Sequence, residues 1–389
     1  MDGNQVYEVI RRMAVDIFSQ EGLRERLNSG KRLKIKFGAD PSRPDLHLGH
    51  SVPLRMLRKL QDAGHEIIFV IGDFTGMIGD PSGRNKTRTP LTFEQTRQNG
   101  QSYFNQVSKI LDVKKARIAY NSEWLSGMGF ADVLSLAGKY TLARIMERDD
   151  FANRYGANQP IGLHELFYPL MQGYDSVALD ADIEVGGTDQ TFNLLVGREL
   201  QKDYGQTPQE VITFPLLPGL DGVEKMSKSL DNYIGVDEPA DIMFEKCMKV
   251  PDAILGDYFC LTTDTPESHF SAMIERDVRE AHFAYAREIV RLYHGESAVS
   301  AAEERYAKVA SGNVPDRMSV VEVRAARISV VELLKAAGFA ESNSDARRLI
   351  AGRGIKLDSE VISDADLLIS SDSVLSRGKN KFVRVRFIG

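Results

Sequence analysis

His47 and His50 lie three residues apart in PDLHLGH (Pro44 to His50), with Gly49 between them. Imidazoles at that spacing can ligate a metal, sit hydrogen-bonded in a core, or give N–H donors to phosphate oxygens. Zinc needs a third ligand at usable spacing, and no nearby Cys, His or Glu completes a pattern such as H-E-x-x-H, so no metal is assigned. Two satisfied loop histidines are the ordinary outcome when such a pair stands alone. The phosphate reading draws on position: an apparent strand before, a glycine that lets a ligand approach the backbone, and the positive end of a helix after. A second string bears on the choice. Lys225 to Ser229 read KMSKS, on a loop that follows PLLPGLDGVE. A lysine-serine cluster is ordinarily solvated surface, yet this string arises by chance in such a chain on the order of once in ten thousand at average composition. Neither G-x-x-x-x-G-K-[ST] nor G-x-G-x-x-G is present as a competing phosphate loop.

The elements that must position these residues follow from periodicity. LKIKF (Leu33 to Phe37) alternates apolar and polar, the period of a strand with one buried face. SVPLRMLRKLQDAG reads as a helix with Pro53 in its first turn, Leu54, Leu57 and Leu60 on one side, and Gly64 closing it. EIIFVIGD is a continuous apolar strand of the kind buried on both faces in a parallel sheet. Strand, helix, strand predicts an α/β fold with a Rossmann-like parallel sheet and ligands at the carboxyl ends of its strands. Helical patterns alternate with short apolar stretches to about Gly222, and helix dominates from Glu238 to about Ser311. The remainder reads as a small α+β unit, with helices in VVELLKAAGF and NSDARRLIAGRG and strands in IKLD and KFVRVRF.

Composition sets outer bounds. The 389 residues allow two or three domains at about 100 to 200 residues each, and 42% hydrophobic with 27% charged residues is typical of a soluble globular chain. The longest apolar run, IIFVI, is far too short to span a bilayer, so no membrane partner is expected. The first residues show no basic leader followed by an apolar segment, which sets a cytoplasmic location as the expectation. Cys247 and Cys260 fit neither a disulfide framework nor a two-pair zinc site. A net charge of −6 means that a nucleic-acid partner would need a local basic patch.

HLGH at a first βα turn and KMSKS near the end of the α/β region together resemble the two signature motifs of class I aminoacyl-tRNA synthetases. That resemblance implies ATP, as its Mg2+ complex, for a substrate, with no tightly bound cofactor. Amino-acid activation drives a carboxylate oxygen into the α-phosphorus while negative charge on the triphosphate is held, which is mostly positioning and electrostatics. His47, His50, Lys225 and Lys228 would supply donors and positive charge, with Gly49 also against the nucleotide.

FYPLMQGYDSVAL (Phe167 to Leu179) bears on the amino acid, since Tyr168, Gln172 and Asp175 have the i, i+4, i+7 spacing of one helical face. A mixed, solvated helix surface accounts for such residues; a polar face turned inward suits a ligand with both an ammonium and a phenol. With VGGTDQTFN from Val185 and GDFTGMIGDPSGR (Gly72 to Arg84), this stretch resembles the tyrosyl-tRNA synthetase family, and the order of motifs agrees over nearly the whole chain. The resemblance implies that Asp80, Tyr168 and Gln172 hold the ammonium of L-tyrosine and that Asp175 accepts a hydrogen bond from its hydroxyl. By the same implication Asp40 and Gln190 line the tyrosine or adenylate site, Gly187 and Asp189 contact the ribose, and Thr75 and Asn121 lie nearby. Arg84 and Arg88 fall on the pyrophosphate side. The family often has an aromatic-Cys-Gly-Phe-Asp run before the histidine motif, its tyrosine a second partner of the substrate hydroxyl. Here the run is Lys36-Phe37-Gly38-Ala39-Asp40, similar to another bacterial subgroup, and Lys36 either replaces that contact, points away, or is compensated elsewhere. Selecting tyrosine over phenylalanine by about five decades, a value already established for tyrosine-activating enzymes, corresponds to about 7 kcal/mol.

The last stretch, SRGKNKFVRVRFIG, holds Arg377, Lys379, Lys381, Arg384 and Arg386 with no acid, and ARRLIAGRGIK adds Arg347, Arg348, Arg353 and Lys356. Such runs are usually a solvated face, but in an acidic chain the concentration is the footprint of phosphate-backbone binding. SNSDARRLIAGRGIKLDSEVI also resembles a small RNA-binding domain shared with a ribosomal small-subunit protein. The resemblance implies tRNA(Tyr) as partner, its long variable arm gripped by this unit and its anticodon facing the helical segment. It further implies a homodimer, with a catalytic domain over 1–232 carrying an inserted dimerisation segment at about 100–185, a helical domain over 233–323 and the RNA-binding unit over 326–389. Two rivals stay open: a tryptophanyl-tRNA synthetase, which shares the fold but normally lacks the last unit, and a catalytically silent RNA-binding protein on the same scaffold.

Overall fold

The computed structural model describes residues 2–39, 46–79, 92–311, 318–378 and 381–388, apart from the side chains of Phe93 and Ser102. The chain divides into two compact units, Met1–Glu238 with Lys246–Ile289, and Pro239–Glu245 with Val290–Gly389.

The first unit is built on six strands: β1 (Asp16–Phe18), β2 (Lys34–Ala39), β3 (Glu66–Ile71), β4 (Ala116–Tyr120), β5 (Ile183–Gly187) and β6 (Glu210–Phe214). Their spatial order is β1-β6-β5-β2-β3-β4. β1 runs antiparallel to β6, and the other neighbours are parallel. Winding proceeds from β2 through β3 to β4 on one side and from β5 to β6 on the other, so the direction of winding reverses between β2 and β5. Parallel α/β sheets bind ligands in the crevice outside the carboxyl ends of strands at such a reversal. β3 matches its apolar run, with Ile67 to Ile71 all buried. β2 differs from the half-exposed strand that its alternation predicts, because Lys36 is fully buried. The physical reason is position: a central strand of a parallel sheet is covered on both faces, and its cross-strand partner at this register is Glu184.

The helix after β2 runs Leu48–Asp62 and therefore begins three residues before the expected Ser51. Pro53 consequently sits in the second turn rather than the first. His47 is the cap, and its carbonyl accepts from the N–H groups of His50 (2.9 Å) and Ser51 (3.3 Å). The histidine motif is thus the first turn of the helix. Further on, the helices Tyr168–Leu179 and Thr191–Asp203 pack side by side. Their approach needs Gly173, where a Cβ would lie 2.9 Å from Leu200 Cδ1 and 3.1 Å from the Gly197 nitrogen.

The second unit contains the helix Glu296–Ala310 and a five-stranded sheet ordered Glu360–Val361, Ile355–Leu357, Ser373–Arg377, Lys381–Phe387, Ser319–Val323. Helices Val330–Ala336 and Asn343–Ala351 cover it, with Leu333, Leu334, Ile350, Ile355, Leu375 and Val385 in the core. The expected helices and the strands at Ile355 and Lys381 are present; Ser319–Val323 and Ser373–Arg377 are additional strands.

Candidate active site

The two signature strings meet on one edge of the sheet. Leu48 N–H donates to the Ile234 carbonyl (2.9 Å) and Val236 N–H to that of Leu46 (3.0 Å), stitching the histidine turn to the chain just beyond KMSKS. Met226, the second residue of KMSKS, is buried, and its N–H donates to Leu217 O at 2.8 Å. Ser227 N–H donates to Asn232 Oδ1 at 2.8 Å, so the backbone of the loop is held while its lysines face outward. Lys225 Nζ lies 3.1 Å from Asp189 Oδ2, joining the loop to the carboxyl end of β5, where Gly187 also lies. Lys228 stands over the Tyr233 ring at 5.2 Å.

Burial holds both imidazoles neutral. Their ring centroids are 3.8 Å apart, and the backbone N–H of His47 donates to His50 Nδ1 at 3.3 Å. A neutral His50 with Nδ1 accepting carries its proton on Nε2, the tautomer that can donate to an oxygen. Burial pushes His47 down to about 2 and His50 to about 4, and the charges of Lys225 and Lys228 push the same way. The lysines therefore supply the positive charge and the histidines only hydrogen bonds. Gly49 permits this stacking: a Cβ there would stand 3.0 Å from His47 Nδ1. Among the described residues no group of three or more His, Cys, Asp or Glu is placed to hold a metal ion.

Beside this edge a cavity of about 150 Å3 is lined by Gly38, Ala39, Val70, Gly72, Thr75, Asn121, Tyr168, Gln172, Asp175 and Gln190. Tyr168, Gln172 and Asp175 face it from the helix Tyr168–Leu179, as their spacing predicts. Asp175 is buried; its carboxylate accepts from Trp124 Nε1 (2.8 Å) and Asn121 Nδ2 (3.5 Å). Asn121 Nδ2 also donates to Thr75 Oγ1 at 3.0 Å, and its Oδ1 accepts from Phe74 N–H at 2.9 Å. Burial raises Asp175 to about 7, opposed by the charge of Lys36 and the bonds from Trp124 and Asn121. The cavity thus holds a carboxylate with fixed oxygens, able to accept a hydrogen bond from a hydroxyl.

Lys36 is not part of the cavity wall. Its ammonium donates to Gln172 O and Ser176 Oγ, each at 2.8 Å, and lies 2.8 Å from Glu184 Oε1 as an ion pair behind the helix. Asp40, Asp80, Arg84, Arg88 and Lys379 fall outside the described residues. In the second unit, Arg347 pairs with Asp366 (3.2 Å), Arg348 with Asp345 (2.8 Å), and Arg377 with the Phe339 carbonyl. Lys356, Arg384 and Arg386 are exposed and share one face of the sheet through the registers Lys356↔Ser376 and Val374↔Arg384. Arg353 and Lys381 are exposed too, and Lys381 lies on the opposite face by its register with Arg377.

Residues that spacing did not single out complete the site. Trp124, the sole tryptophan, follows Asn121 by three positions, and that proximity was its only signal. Asn193 Nδ2 donates to both Gln172 Oε1 and Gln190 Oε1 at 3.1 Å, and its own Oδ1 accepts from Arg148 Nη1 at 3.3 Å. Arg148 is in turn held by both oxygens of Asp150. Nothing in the sequence links positions 148, 172, 190 and 193.

Comparisons with known proteins identify the family. Residues 28–310 match the family model for class I tRNA synthetases (W and Y). The tyrosine--tRNA ligase of Deinococcus radiodurans is 49% identical over 98% of this chain and 96% of its own, and that of Shewanella oneidensis 48% identical over the full length of both. The solved tyrosyl-tRNA synthetase of Archaeoglobus fulgidus, complexed with L-tyrosine, superposes with a TM-score of 0.64 over 76% of this chain and 99% of that one, at 24% identity. A C-terminally truncated mitochondrial tyrosyl-tRNA synthetase from Aspergillus nidulans gives 0.66 over 78% and 94%. By the family model over residues 28–310 and by relatives at 48–49% identity over the length of the chain, the chain belongs to the tyrosyl-tRNA synthetase family of class I aminoacyl-tRNA synthetases.

Proposed function

We propose that the chain joins tyrosine to tRNA(Tyr) in two steps within this site. A tyrosine carboxylate oxygen attacks the α-phosphorus of ATP, the bond to the β-phosphate oxygen breaks, and tyrosyl-adenylate and pyrophosphate form. A ribose hydroxyl of the tRNA's terminal adenosine then attacks the carbonyl and AMP leaves. His50 Nε2–H, His47 and the two KMSKS lysines face the phosphates; ATP arrives as its magnesium complex, and the metal comes with the triphosphate. Gly187 and Asp189 take the ribose, Tyr168, Gln172 and Gln190 surround the ammonium end of tyrosine, and Asp175 receives its hydroxyl. Asp80, Asp40, Arg84 and Arg88 keep the roles the family resemblance gives them.

The observation that supports this reading most is the placement of the buried Asp175 in the lining of this cavity, with both oxygens already oriented by Trp124 and Asn121. Amino-acid-dependent exchange of pyrophosphate into ATP tests it. Tyrosine alone should drive exchange; exchange with tryptophan, or none, overturns the assignment.

A homodimer formed through the inserted segment at about 100–185 belongs to the same reading. Its support is the exposure of Phe130, Leu134, Leu142, Tyr155 and Leu163 in that segment. The segment 233–323 faces the anticodon, and 326–389 grips the tRNA, with Lys356, Arg384 and Arg386 as its phosphate contacts. Removal of the chain after Arg324 should leave pyrophosphate exchange intact and impair charging. A cytoplasmic setting completes the reading, supported by the two free cysteines; no helix of the described residues is long and apolar enough to cross a membrane.

A further inference from the structure

A fully buried lysine is rare, and Lys36 has no contact with the cavity whose family counterpart reads the substrate hydroxyl. Its surroundings say what it does instead. Lys36 sits on β2 directly opposite Glu184 on β5, and the two charges meet at 2.8 Å with almost no exposure. Glu184 Oε2 is bound in turn by Ser176 Oγ (3.0 Å) and by the Gln209 amide. The other two bonds of the ammonium go to Gln172 O and Ser176 Oγ, one helical turn apart on the helix that presents Gln172 and Asp175 to the cavity. Lys36 therefore ties the turn that carries both readers to the central strand of the sheet. A burial this deep is not favourable on its own account, since desolvation of two charges offsets their attraction.

We propose that Lys36 is a positioning residue for tyrosine selection: it clamps the turn Gln172–Ser176 and sets a positive charge beneath Asp175, so that this carboxylate serves as reader without a second hydroxyl partner. The proposal rests on the cavity taking tyrosine. The groups facing Asp175 are Lys36 from β2, Glu184 from β5, and the uncharged Trp124 and Asn121 beyond β4. Lys36 favours the ionised carboxylate and Glu184 opposes it, while burial works against ionisation throughout. Because the ammonium bonds to Gln172 O and Ser176 Oγ and pairs with Glu184, its effect on Asp175 is through the field and the backbone, and the reader's oxygens stay open to the phenol.

The test uses the full chain and two variants. Lys36→Met combined with Glu184→Gln removes both buried charges together and leaves neither unpaired; Glu184→Gln alone leaves the lysine in place. Pyrophosphate exchange is followed with tyrosine and with phenylalanine between pH 6 and 9, with circular dichroism and thermal melting to establish folding. In the double variant the ratio of kcat/KM for tyrosine over phenylalanine should fall at least tenfold. The acid limb of the tyrosine profile should move up in pH, with kcat at saturating tyrosine changed less than threefold. In Glu184→Gln the limb should move down. A structural role alone would lower the melting temperature and affect both amino acids equally. An unchanged ratio and unmoved limbs in a folded variant overturn the proposal, and if the double variant does not fold, the direction of the Glu184→Gln limb decides. Absence of tyrosine-dependent exchange in the unaltered chain would instead sink the reading of the cavity.

Discussion

The edge proposed to take phosphate and the cavity proposed to take tyrosine adjoin, yet they are built on opposite principles. The edge uses two contiguous strings, with an exposed Lys225 paired to Asp189, a half-buried Lys228 over Tyr233, and histidines that are held neutral by burial and by those lysines. The cavity draws single residues from β2, β3, the turn after β4 and the helix Tyr168–Leu179, and holds a carboxylate buried with its partners. The difference follows from the ligand. A triphosphate carries its own charge and needs mobile counter-charge that strengthens as pyrophosphate leaves. A phenol differs from a phenyl by one hydroxyl, and only a desolvated polar group that suffers when unpaired can read so small a difference.

The largest effect that separates the two halves is expected at Lys228. Lys228→Ala removes charge from the triphosphate side alone, so adenylate formation should fall by about 100-fold or more, as for loss of a transition-state donor. Tyrosine affinity, measured by equilibrium dialysis, should stay within about twofold; equal loss of both would mean that the edge and the cavity act as one unit. Asp175→Asn is the complementary change. Its amide keeps the shape but loses the charged acceptor, so selectivity for tyrosine over phenylalanine should fall by about 10- to 100-fold, while exchange at saturating tyrosine is less affected. An unchanged selectivity in the pyrophosphate-exchange assay would remove Asp175 as the reader.

The same contrast explains what the sequence revealed. HLGH and KMSKS were legible because their residues are adjacent in the chain and their side chains act at a helix start and a loop. The α/β class was legible from LKIKF and EIIFVIGD, since sheet burial leaves a local pattern. Tyr168, Gln172 and Asp175 were legible because one helix carries all three. Lys36 was misplaced: its alternation reads as a solvent face, and only the cross-strand register with Glu184, set by a crossover of some length, makes burial possible. Asn193 and Arg148 were silent for the same reason. Pro53 misled by one turn, because the cap at His47 depends on an imidazole bond within the motif rather than on a Ser, Thr or Asp.

The smallest effect is also the cleanest comparison, since the two halves should titrate in opposite directions. His50 falls to about 4 in the folded chain from an ordinary value of 6.5, so between these limits the unfolded chain binds more protons and stability is lost as pH falls. His47 acts in the same direction. Asp175 rises to about 7 from 3.8, so in its window the folded chain binds more protons and stability is gained as pH falls. Each group contributes at most about 1.4 kcal/mol per pH unit, and in the unaltered chain the contributions oppose each other. Urea unfolding at pH 5 and pH 6 should therefore show His50→Gln less acid-sensitive than the parent, and Asp175→Asn more so, each by about 1 kcal/mol across the interval. Slopes that change in the same direction would mean that the histidines are charged in the folded chain, and that the edge holds phosphate by imidazolium charge rather than by the lysines alone.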